Sequence, residues 1–257
     1  MKLKLKISFA LLLGIAFIYS ACKKSGSNPN PTLTPKQVTS QVALNITQSL
    51  FGGLGAFDVS GGLSAPTTFA LHTKGKVLNA VGNPDCGLII DTTLAFTDTV
   101  SGTIASVSGN IKFGITCTNN IISGYTNTDN VTIAFSNAQI SFSYKVIENL
   151  TLLSQNPLDD NADLSLHGSL NSTGSYQLKT GTKGSGSEVF NYTLTSLVID
   201  PNAGDVVSGS ASFNTQGSGP QGVWNFSGTI TFFGNHQAKV LINGTTYNVD
   251  LQTGLVS

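Results

Sequence analysis

The stretch CGLIIDTTLAFTDTVSGTIASVSGNIKFGITC, residues 86–117, decides how the chain is read. Apolar and polar residues alternate on both sides of Ser101-Gly102, the period-2 pattern of strands with one buried face. A hairpin fixes the sum of paired residue numbers, and the apolar sets of both strands must then share a face. With Ser101-Gly102 as a two-residue loop, Leu88 faces Ile115, Ile90 faces Phe113 and Phe96 faces Val107. In this register, which the apolar residues alone set, Cys86 falls opposite Cys117. The pairing predicts a Cys86–Cys117 disulfide that closes the open end of the hairpin. The alternative is two separately buried thiols. The same register turns Asp98 toward the apolar face, close to the loop.

Three more hairpins follow downstream. Asn243-Gly244 is a strong two-residue turn signal that sets Ile242 against Thr245, Val240 against Tyr247 and Ala238 against Val249. A loop over Pro201–Gly204 sets Val198 against Val207, Leu194 against Ala211 and Tyr192 against Phe213. A loop over Ser136–Gln139 sets Phe135 against Ile140, Ile133 against Phe142 and Val131 against Tyr144. Residues 162–170 and 223–232 alternate in the same way, the second with Trp224, Phe226, Ile230 and Phe232 on one face. Strand character starts near Thr67, and roughly a dozen strands are too many for one flat open sheet. The expected fold is all-β: a long antiparallel meander forming a curved sheet, sandwich or partial barrel. A transmembrane barrel shares the alternation, but the aromatic girdles and terminal aromatic residue of such barrels are missing.

Upstream, the period is 3.6. Thr34-Pro35-Lys36-Gln37 offers a capping Thr, a Pro at the first helical position and a Gln three residues after the cap. Val38, Val42, Ile46 and Leu50 recur at spacing four before Gly52-Gly53. An amphipathic helix over Pro35–Phe51 is expected to cover the apolar face of the sheet. A membrane surface is the competing cover, disfavoured because Lys36 is the helix's one basic residue.

The N-terminus carries an address. Lys2, Lys4 and Lys6 precede an uncharged run from Ile7 to Ile18, then Tyr19-Ser20-Ala21-Cys22. The run is short for a membrane-spanning helix and reads as a secretory signal. It resembles a bacterial lipoprotein signal, which implies cleavage after residue 21 and lipidation of Cys22, with palmitate among the acyl groups. Residues 22–33 then form a polar tether, and residues 34–257 a single β-rich domain. The 257-residue chain has 13 basic residues, all lysine, and 13 acidic ones. Removal of residues 1–21 takes three lysines and leaves 10 against 13 acids. A neutral to mildly acidic chain without arginine makes nucleic acid a poor partner.

Two stretches carry a further likeness: Cys86-Gly87 with Asp91-Thr92-Thr93, and Trp224-Asn225-Phe226-Ser227-Gly228 with Gly234-Asn235-His236, Asn243-Gly244 and Tyr247-Asn248-Val249. With the junction Ser20-Ala21-Cys22-Lys23-Lys24, they resemble the uncharacterised exported lipoproteins of the Bacteroidota. The resemblance implies a cell-envelope location, at the outer membrane, and a β-rich fold, and it implies no activity. Asp91-Thr92-Thr93 and Asp98-Thr99-Val100 also resemble O-glycosylation acceptors of that phylum, at Thr92 and Thr99. Strand propensity explains the same threonines.

Catalytic signals are sparse. The chain has no Gly-x-Ser-x-Gly elbow, phosphate loop, His-Glu-x-x-His or zinc-spaced cysteine pair. His72, His167 and His236 lie far apart in sequence. Asp159, Asp160, Asn161 and Asp163 are the densest oxygen donors and weak candidates for calcium, but they lack the Gly and Glu of an EF-hand loop and suit a solvated turn. The expectation is a protein with no catalytic site and no cofactor, anchored to the membrane, with a binding or structural role toward an envelope protein, a glycan or an apolar ligand. The alternatives are a carrier holding an apolar ligand between helix and sheet, and a glycan-active enzyme, which needs two inward-facing carboxylates. Most acids are expected in turns or on polar faces, Asp98 being the exception, which disfavours the enzyme.

Overall fold

The computed structural model describes residues 32–51, 86–181 and 184–257. Ten strands form one antiparallel sheet in sequence order: β1 (Ile89–Val100), β2 (Thr103–Thr118), β3 (Ile121–Ser136), β4 (Ile140–Ser154), β5 (Leu164–Leu178), β6 (Gly184–Asp200), β7 (Asp205–Gly219), β8 (Gly222–Phe232), β9 (Gln237–Ile242) and β10 (Thr245–Asp250). The meander is open, since β1 and β10 sit at opposite ends of the strand order. The strand character expected for residues 67–85 lies outside the described residues.

The β1–β2 hairpin has the expected register: Ile90 pairs with Phe113 and Phe96 with Val107. Ser101 and Gly102 both adopt positive φ, as a type I′ turn requires. Cys86 and Cys117 form a disulfide across 31 residues, with Cα atoms 5.6 Å apart. The β9–β10 register also agrees at all three expected pairs.

The other two hairpins differ in detail. In β3–β4, Phe135 pairs with Phe142, Ile133 with Tyr144 and Val131 with Val146, a shift of two in the pairing sum. The side chain of Asn137 causes it: its Oδ1 accepts from the backbone of Gln139 and Ile140, at 2.8 and 2.9 Å, and holds the turn one residue further along. A shift of two leaves every side chain on its expected face. In β6–β7, Tyr192–Phe213 and Leu194–Ala211 agree, but Val198 pairs with Ser208 instead of Val207. A bulge between Thr195 and Val198 puts Ser196 at φ 47° and advances the strand. Gly209 lies against this bulge, where a Cβ would come within 2.7 Å of the Leu197 Cα.

Helix α1 spans Pro35–Leu50, with the Thr34–Gln37 capping box formed in both directions. Val38, Val42, Ala43, Ile46 and Leu50 are fully buried. No residue from Val38 to Phe51 is exposed, so the helix is wrapped on more than one side. Asn45 donates to the Tyr144 hydroxyl on β4 (2.7 Å) and to Ser172 on β5 (3.3 Å). Two residues on, the Thr47 hydroxyl donates to the Leu251 carbonyl just past β10 (2.8 Å). In a flat sheet β4 and β10 would stand about 29 Å apart, whereas a helix is only about 10–12 Å across. The sheet therefore curls around α1, and the core lies on its inner face.

Candidate functional site

The turns that follow β1, β3, β5 and β7 lie at one end of the meander. The Leu33 amide donates to the Val223 carbonyl at the start of β8 (3.0 Å), so the chain enters the domain at that end. Leu33 is buried there. The candidate residues of the site lie on the inner face and toward this entry end.

The inner face carries acidic groups among its apolar residues. Asp129 and Glu148 face each other across β3 and β4, both fully buried, and Asn127 donates to Glu148 Oε2 at 3.3 Å. Glu188 also faces inward, on β6 with Phe190 and Tyr192. The expectation that acids keep mostly to turns and polar faces is thus corrected for these three. Parity could have found them: Asp129 alternates with Val131 and Ile133, Glu148 with Tyr144, and Glu188 with Tyr192. A sugar reaching Asp129 and Glu148 would have to displace the core around them.

Glu188 sits at the centre of one cross-strand row. Tyr144 on β4 pairs with Gly174 on β5, Gly174 with Glu188, Glu188 with Gly217 on β7, and Gly217 with Trp224 on β8. The glycines leave room for their neighbours. A Cβ on Gly217 would fall 2.1 Å from the Trp224 ring, and one on Gly174 would crowd both Glu188 and Tyr144 at 3.0–3.1 Å. An acid therefore lies between a Tyr and a Trp whose rings reach across glycines. Glu188 is half-buried, and among the described residues none donates a hydrogen bond to its carboxylate. Desolvation pushes its pKa up to about 7. Burial, reinforced by the Glu188 charge, also raises Tyr144 and Tyr192 above the ordinary phenol range. The Tyr192 hydroxyl donates to the Val42 carbonyl of α1 at 3.2 Å, and the Trp224 indole to Thr215 at 3.0 Å.

Toward the tether end the inner face becomes apolar and less covered. Phe96 is 52% exposed, and Ile133, Phe135, Phe142 and Tyr176 are half-buried. They occupy two adjacent rows across β1–β5. A cleft of about 460 Å³ opens at the β5–β6 hairpin beyond them, lined by Gln177, Leu178, Lys179, Gly184 and Ser185.

The remaining candidates are scattered. Cys22 and His72 lie outside the described residues. Asp159, Asp160, Asn161 and Asp163 are all exposed in the β4–β5 turn, where Asp159 Oδ1 accepts from the Asn161 amide. Among the described residues, no three His, Cys, Asp or Glu side chains are grouped to hold a metal ion. His167 is exposed on the outer face. His236 Nδ1 lies 3.3 Å from Asp205 Oδ1, and Asp205 also accepts from the backbone of Val206 and His236. That pair ties the β8–β9 turn to the start of β7, with Phe51 edge-on to the imidazole. Asp98 is half-buried on the inner face, as its register requires. Thr92 also faces inward and is half-buried, whereas Thr99 is exposed beside the β1–β2 turn. Compared with family models, curated proteins and solved structures, the chain finds no match in any of the three.

Proposed function

We propose that this chain is a lipid-anchored protein of the cell envelope, held at the outer membrane through Cys22, that binds an apolar chain without transforming it. The observation that carries the reading is the half-covered aromatic inner face at the end where the tether enters. Large apolar surface is ordinarily buried, and a contiguous stretch left open on a concave face suits an apolar ligand. The direct contacts of Asn45 with Tyr144 and Ser172 fill the space beneath the middle of α1. The ligand is therefore assigned beyond the helix, along Phe96, Ile133, Phe135, Phe142 and Tyr176. Nine residues separate Cys22 from Thr32, and a chain of that length reaches on the order of 17 Å, which keeps that opening close to the bilayer. The disulfide agrees with export to an oxidising compartment.

Two measurements test this. Labelling with an alkyne fatty acid is expected to mark the wild-type chain and not Cys22→Ser, and equal labelling would remove the anchor. Native mass spectrometry of the gently released full chain is expected to show an adduct of lipid mass that Phe135→Asp reduces. A chain that never carries such an adduct would favour a purely structural role.

A further inference from the structure

Glu188 makes a demand that an apolar ligand alone does not meet. Its carboxyl stands between the Tyr144 and Trp224 rings in one cross-strand row, and among the described residues no group donates to it. Lys112, Lys145, Lys179 and Lys239 are exposed, and Lys179 is engaged with Ser136 and Asn137 at the β3–β4 turn. A carboxylate drawn out of water needs a donor or a cation, and the faces of Tyr and Trp attract cations as well. Tyr176 pairs with Gly186, two residues from Glu188 on β6, and links this row to the apolar surface at the tether end.

We infer that Glu188 is the polar end of the ligand site and that the ligand is an amphiphile with a primary ammonium head. The inference rests on the apolar-chain reading above and adds the head to it. The alkyl chain lies along Phe142, Phe135 and Ile133, and the ammonium sits against the Glu188 carboxylate between the two rings. A fatty acid of the same length would set carboxylate against carboxylate, and an alcohol would leave the charge uncompensated. Burial raises the Glu188 pKa to about 7, and a cation bound against the carboxylate would lower it again.

Trp224, the one tryptophan of the chain, is a built-in reporter because it borders the site. Its emission is followed while the full chain in non-ionic detergent is titrated at pH 8 with dodecylamine, dodecanol or dodecanoate. Dodecylamine is expected to bind at least tenfold more tightly than dodecanol, and dodecanoate most weakly. Glu188→Gln keeps the shape of the side chain and should lose the amine preference while binding dodecanol within about twofold of wild type. Native mass spectrometry of the same samples counts the bound molecules independently of Trp224. A second arm compares phosphatidylethanolamine with phosphatidylglycerol, and a preference confined to free dodecylamine identifies a long-chain amine over an aminophospholipid. Equal binding of amine and alcohol, or an unchanged preference in Glu188→Gln, overturns the ammonium head and leaves the apolar site standing. Failure of all three dodecyl probes to bind overturns both.

Discussion

Glu188 shows how one position couples stability to pH. Its pKa rises from the usual 4.5 to about 7 on folding, so between those values the folded state holds more protons than the unfolded one. Stability then falls as pH rises through that window and levels off above it. Each pKa unit is worth about 1.4 kcal/mol, and partial solvent contact reduces the total to about 1–2 kcal/mol. Glu188→Gln cannot titrate, so denaturant unfolding is expected to find it more stable than wild type at pH 8 and equal to it near pH 4. A gain of the same size at both pH values would show that the side chain's shape, not its charge, is responsible. The residue was legible in principle, because its parity with Tyr192 fixed its face. Residue type points the other way, because acids are normally solvated, whereas the register places this one inside.

At the scale of elements, the hairpins were readable because a strand has a strict side-chain period and each turn has its own chemistry. The β1–β2 and β9–β10 turns use two residues at positive φ, and their registers follow directly. The β3–β4 turn depends on the hydrogen bonds of Asn137, and the β6–β7 pairing on a bulge at Ser196, and neither has a distinct sequence signal. Cys86–Cys117 closes the first hairpin at the end opposite its turn. Loop closure over this length stabilises by about 3–4 kcal/mol. Reduction, or the double variant Cys86→Ala with Cys117→Ala, is expected to lower unfolding stability by that amount. The loss should appear first as faster hydrogen exchange in β1, the edge strand. Unchanged protection there would mean that sheet packing alone holds the hairpin.

The whole molecule is organised by the curl of the sheet around α1. Because the helix touches β4, β5 and β6 on one side and the chain past β10 on another, it is shared core for both halves of the meander. Ile46, fully buried, belongs to that core. Ile46→Ala is expected to cost about 2–4 kcal/mol, with helix and sheet signals lost in one transition. Two separate transitions would mean that α1 is an accessory to a sheet that is stable without it. Among the described residues, α1 starts at Pro35, and the end of the inner face where the chain enters is half-covered.

Local sequence alone sets the alternation that makes the strands, the N-terminal cap of α1, the order of the hairpins and the pairing of Cys86 with Cys117. These are local properties, written within a few residues or within one hairpin sum. That the meander stays open, how far it curls, and that Tyr144, Glu188 and Trp224 share one row arise only on folding. Those follow from summing the small twist of each strand pair over ten strands around a buried helix. No single segment carries that sum, so no segment announces the site it creates.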